Sequence, residues 1–196
     1  MKIISTNVYV GPNVYANFPV IRHQIDIGEL ENWPSVKLGE NFINGLVSAL
    51  PTLQSHGCSY REDGGFLRRL KEDEGTWIGH IWEHVALELQ HLAGSDVTYG
   101  KTRSAGKHGC YDVVYQYKQR DVGLEAGQLG LRLLTHLMPR EVQETLVTKV
   151  SDDFDFSEEL HDFIRMAQRK EFGPSTGSLV SAAEARDIPW LRHYYQ

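Results

Sequence analysis

Residues 75–94 read GTWIGHIWEHVALELQHLAG, and the rest of the chain is read outward from this stretch. Ile78, Ile81, Val85, Leu89 and Leu92 recur every three or four residues, the period of one helix face. Thr76 is a good N-cap type and Gly94 a good C-terminal stop, so the spacing predicts a helix over Trp77 to Ala93. Val97 to Thr102 and Tyr111 to Tyr117 (YDVVYQY) read as strands, with SAGKHG at 104–109 as the turn between them. Asp121 caps a second long helix through Leu137, stopped by Pro139. The block 75–138 is therefore α-β-β-α.

Upstream, Lys2 to Val10 and Val20 to Ile27 alternate as strands, with Ile21, Ile25 and Ile27 on or near one face. Their connection holds the Gly11-Pro12-Asn13 turn, which predicts a hairpin with a long loop. Residues 32–39 read as a loop, Asn41 to Leu50 as a helix stopped by Pro51, residues 56–65 as a glycine-containing polar loop, and Phe66 to Lys71 as a short helix. The expected fold class is α+β, an antiparallel sheet with packed helices. Downstream, the acid-rich stretch 151–160 leads into an amphipathic helix through Arg169. Gly173-Pro174-Ser175-Thr176 then opens a helix over 177–186 and a terminal strand over 188–191. We read 1–160 as one unit, and 161–196 as a linker helix plus the incomplete start of another.

The chain has 196 residues, 41% hydrophobic and 23% charged, which is an ordinary globular composition with enough apolar material for a core. Its 26 Asp+Glu against 20 Lys+Arg give a net charge of −6, which argues against nucleic acid as the main partner. No run of 18 apolar residues is present, so no membrane span is expected, and the N-terminal stretch lacks the pattern of a signal peptide. Cys58 and Cys110 are too few for a disulfide framework, so a cytoplasmic location is the expectation.

The chemistry lies in His80-x-x-Glu83-His84. Residues four apart on a helix share a face, about 5–6 Å between Cβ atoms, so two imidazoles there can chelate one ion. Glu83 stands beside the second histidine, as in the inverted zinc-protease motif H-x-x-E-H, where a carboxylate works on an activated water. The competing reading is a solvated helix face without a function. A zinc site needs a third protein ligand. Glu88 lies eight residues beyond His80, about 12 Å along the axis, so it must reach back or instead orient His84. Cys58, in the loop beside His56, offers a thiolate, although most free cysteines are buried apolar residues. The third ligand is left between Glu88 and Cys58, with His56 behind them. His91 lies too far along the helix to share the ion and is expected to cap or pack. Cys110 is read as structural. Two basic clusters flank the motif: Arg61, Arg68, Arg69 and Lys71 before it, and Lys101, Arg103 and Lys107 after it. Each suits an anionic or polar polymer, and each also suits a solvated surface.

On these residues the chain resembles the N-terminal domain of cyanophycin synthetases. The resemblance runs through Gly11-Pro12-Asn13, Gly45-Leu46-Val47, His56-Gly57-Cys58-Ser59, Gly64-Gly65-Phe66-Leu67, the motif helix, Tyr99-Gly100-Lys101-Thr102-Arg103 and Tyr111-Asp112-Val113-Val114. The tail from Gly173 to Trp190 is similar to the opening of the ATP-grasp domain that follows in that family. The resemblance implies a polymer partner, cyanophycin (multi-L-arginyl-poly-L-aspartate), and a homo-oligomer in the full-length context. ATP and Mg would serve only the ligase domains, which 196 residues do not hold, so no ligase activity is expected from this chain alone. The resemblance further implies a metallopeptidase-like hydrolase that cuts the polymer into primers. In it His80 and His84, with Glu88 or Cys58, hold zinc, Glu83 is the base, and Arg61, Lys101 and Arg103 contact substrate. The alternative function is a non-catalytic polymer-binding and assembly domain in which any metal is structural.

Overall fold

The computed structural model describes residues 1–147, 149–190 and 192. Four strands, β1 (Lys2–Tyr9), β2 (Val20–Asp26), β3 (Gly100–Ser104) and β4 (Cys110–Gln116), form one antiparallel sheet in the order β1-β2-β4-β3. Eight α-helices accompany it among the described residues: α1 (Ser35–Leu38), α2 (Glu40–Ala49), α3 (Gly65–Lys71), α4 (Ile78–Leu92), α5 (Arg120–Leu137), α6 (Arg140–Thr145), α7 (Phe156–Lys170) and α8 (Pro174–Glu184). The fold is α+β with the H-x-x-E-H residues on a long helix, α4, as the periodicity predicts.

The hairpin of β1 and β2 and the α-β-β-α block meet because β4 pairs with β2, with Ile21 opposite Tyr115, His23 opposite Val113 and Ile25 opposite Tyr111. This register puts Ile21, His23, Ile25, Val113 and Tyr115 in the core. α4 lies across β3 and β4 and packs on α5 along its other side. Close approach is made possible by glycine: a Cβ on Gly79 would stand 3.3 Å from both Ile25 Cδ1 and Thr102 Cγ2. The same holds on α5, where a Cβ on Gly130 would sit 2.9 Å from Val85 Cγ1. α4 is consequently buried on all sides from Ile78 to Gln90 except at His80, which is half-buried.

Several elements differ from the sequence reading for identifiable reasons. Residues 32–39 are not simply a loop, because Ser35–Leu38 closes a single helical turn after Pro34. β3 begins at Gly100 rather than Val97, since the Gln116 side chain takes the amides of Thr98 and Tyr99 before the ladder starts. Val97 itself is buried. Leu92 leaves the core stripe and is 37% exposed at the end of α4. The N-cap of α5 is Gln119, and Asp121 instead pairs with Lys170 of α7 at 2.7 Å. The last helix, α8, begins at Pro174 and ends at Glu184, before Arg186. Residues 188–190 form no strand, and Leu191, the end of the expected one, lies outside the described residues. α7 packs against α5 and buries Phe163 and Ala167.

Candidate metal centre

The motif side chains are not on a solvated face: Glu83, His84 and Glu88 are 4%, 7% and 2% exposed. His80, Glu83 and His84 line a cleft of about 660 Å³ between α4, β3 and the loop that carries His56 and Cys58. Donor atoms of Cys58, His80 and His84 lie within 4.8 Å of one another. Cys58 Sγ is 3.4 Å from His80 Nε2. Cys58 has φ 50°, a left-handed conformation that a non-glycine residue adopts at a cost of about 1–2 kcal/mol. That backbone, followed by Arg61 at φ 56°, turns the loop back so that the thiol meets α4. The loop is tied down by Phe66 N–H donating to His56 O at 2.8 Å. The buried Phe66 ring stacks on His84, with centroids 4.0 Å apart.

Each histidine of the motif also has an outer partner. His80 Nδ1 lies 2.9 Å from Thr76 Oγ1. Thr76 is thus not the N-cap, a position held by Trp77. His84 Nδ1 lies 3.0 Å from His56 Nδ1. Burial lowers the pKa of His80 to about 4, helped by Arg69, and depresses His84 further, helped by His80 and His56. Both rings are therefore held neutral, the state in which imidazole ligates a metal. Soft thiolate with two imidazoles is a donor set suited to zinc.

Glu83 faces the same cleft. Burial raises its carboxyl to about 7, against the lowering effect of the Thr102 hydroxyl, which donates to Oε2 at 2.7 Å. Gly100 leaves it room: a Cβ there would come within 2.7 Å of Glu83 Cγ. The roles of Thr76, Gly100 and Thr102 beside His80 and Glu83 were missed in the sequence, because a hydroxyl contact or a space left by a missing side chain has no periodicity.

Glu88 is not brought to Cys58, His80 and His84. It belongs to a neighbouring group with His56 and His91. Its Oε2 accepts from His56 Nε2 at 2.8 Å, and its Oε1 from the Thr52 hydroxyl. Burial pushes the Glu88 carboxyl up, yet hydrogen bonds from His56, His91 and Thr52 outweigh this and hold it well below the usual carboxylate range. His91 does more than cap or pack, since its Nδ1 is 3.6 Å from Glu88 Oε2 and its Nε2 donates to Val97 O. Among the expected substrate contacts, Arg61 and Lys101 line the cleft, while Arg103 lines an adjoining pocket with His80 and Trp77. Arg68 is committed to Glu62 and Glu72 and lies over the Tyr60 ring. Cys110 is buried at the start of β4.

The family model for the cyanophycin synthase-like N-terminal domain matches residues 22–139, which include the whole cleft. The chain belongs to this family. Three cyanophycin synthetases align over 97% of the chain: that of Geminocystis herdmanii at 37% identity, and those of Crocosphaera subtropica and Synechocystis sp. at 38%. The chain spans 21% of the length of each. Among the described residues no helix is long and apolar enough to cross a membrane.

Proposed function

We propose that this domain is a zinc-dependent hydrolase that cuts the amide backbone of cyanophycin, the polymer named in its relatives, and so supplies shortened chains as primers for the ligase domains. The observation that carries the reading is the convergence of Cys58, His80 and His84 with Glu83 in one cleft. With Glu88 turned toward Thr52 and His56, Cys58, His80 and His84 would be the residues that hold the ion, and three protein ligands is the number a catalytic zinc takes. Zinc, when bound, supplies a Lewis acid that makes water nucleophilic near neutral pH. Glu83 takes the proton of the water that adds to the scissile carbonyl carbon. It then returns that proton to the leaving nitrogen as the C–N bond breaks. Thr102 holds Oε2 during this exchange. Arg61 and Lys101 are cationic groups at the cleft that suit carboxylates of the polymer.

The test pairs metal content with polymer digestion. Wild type is expected to hold about one zinc per chain and to cleave cyanophycin. His80→Ala/His84→Ala should lose both. Glu83→Gln should keep zinc and lose about 10²–10⁴-fold in cleavage. Cleavage by Glu83→Gln at the wild-type rate would overturn the mechanism. A second reading, a non-catalytic polymer-binding and assembly domain, draws on the exposed Lys101 and Arg103 on β3. It predicts chelator-insensitive retention on immobilised polymer, reduced by Lys101→Ala/Arg103→Ala.

A further inference from the structure

His84 Nδ1 is taken up by His56 Nδ1 at 3.0 Å, which leaves Nε2 as the nitrogen for an ion shared with Cys58 and His80. A ligating nitrogen carries no proton, so a neutral His84 carries its proton on Nδ1. Two ring nitrogens at this distance share one proton: His84 Nδ1–H donates and His56 Nδ1 accepts. The proton of His56 then sits on Nε2, which is 2.8 Å from Glu88 Oε2 and donates to it. The other Glu88 oxygen accepts from Thr52. The chain of donors has one consistent direction and ends on a carboxylate.

We propose that Glu88, acting through His56, is the positioning group that fixes the tautomer and ring orientation of His84 and strengthens its hold on the ion. The proposal rests on the metal reading above and goes beyond it. It also decides how the second cluster of possible ligands, His56, Glu88 and His91, is used. A cation there would need His56 Nε2 without its proton. That would reverse the His56–His84 bond and protonate the wrong nitrogen of His84. The two clusters therefore act as one ion site with a two-residue support, and not as a pair of ion sites.

The experiment titrates zinc against a chromophoric chelator, with the metal alone as probe. Wild type should bind one equivalent. His56→Ala should bind zinc about 10–100-fold more weakly, the usual cost of removing an outer partner. Glu88→Gln should lose less, because its amide oxygen still accepts the His56 proton. Nitrogen-15 spectra of the zinc-loaded protein should show His56 as the Nε2–H tautomer and His84 as Nδ1–H, a readout that a merely structural role would not move. Two equivalents in wild type falling to one in His56→Ala would overturn the proposal in favour of a second cation. Unchanged affinity in both variants, or an Nδ1–H tautomer at His56, would overturn it outright. A wild type that binds no zinc would remove the metal reading itself. If His56→Ala fails to fold, Glu88→Gln and the tautomer spectrum still decide.

Discussion

A methyl group at Gly100 would occupy the space that the Glu83 side chain fills. Gly100→Ala is therefore expected to push Glu83 off Thr102 and to lower polymer cleavage at least tenfold. Zinc should still bind, since no proposed ligand is touched. Parallel metal analysis and digestion check this. His23 offers a different kind of test. It is fully buried, stacked on Trp82 with centroids 4.8 Å apart, and bonded to Thr6 at 2.8 Å and Tyr115 at 2.9 Å. Burial lowers its pKa from 6.5 to about 4. Between these values the unfolded chain binds the proton more readily than the folded one. The contribution of neutral His23 is thus complete above pH 6.5 and is lost as pH falls toward 4. A difference of that size corresponds to about 3 kcal/mol. Urea unfolding at pH 7 and 4.5 should show wild type losing about 2–3 kcal/mol more than His23→Gln over that range. Equal losses would show that His23 does not set the acid limit.

At the scale of elements, α5 carries Gly123, Gly127 and Gly130 where it meets the sheet and α4. Helix propensity alone favours alanine over glycine by about 1 kcal/mol. Here a Cβ on Gly127 would run into the Tyr115 hydroxyl, itself donating to Gly123 O at 3.0 Å. Gly127→Ala should accordingly destabilise by about 1–3 kcal/mol, measured as a lower urea midpoint. A stabilised variant would mean that α5 can back away from the sheet. The elements β2, β4 and α5 were legible because their apolar spacing matches the face they bury, and α4 because its stripe has the helical period even though the helix is enclosed on all sides. The four-residue α1 and the starting point of β3 were not, since one turn has no period and a side chain caps the ladder at Gln116. The candidate site was legible along α4, where His80, Glu83 and His84 share a helix. It was not legible across elements. The choice between Cys58 and Glu88 depends on how a loop 22 residues upstream of His80 folds back, and on a Thr52 that no spacing rule would connect to Glu88.

For the molecule as a whole, a ligand that binds only the folded chain stabilises it in proportion to its excess over Kd. Free zinc at 1,000 times Kd should add about 4 kcal/mol. For a chain of this length that raises Tm by roughly 8–16 °C. Scanning calorimetry with and without zinc checks it, and His80→Ala/His84→Ala should show no response. An identical Tm in wild type would mean that the cluster holds no zinc. The ion would also join parts of the chain distant in sequence, since Cys58 comes from a surface loop and the histidines from a helix enclosed by β3, β4 and α5.

That enclosure bears on residence times. Amides of α4, covered on every side, should exchange with solvent only through global opening, whereas the turn at Cys58–Arg61, left-handed at both ends, opens locally. An ion held between them would come and go at the pace of the turn. The lifetime of the loaded site is then set by a few loop residues, while the helix that supplies most of its ligands stays still.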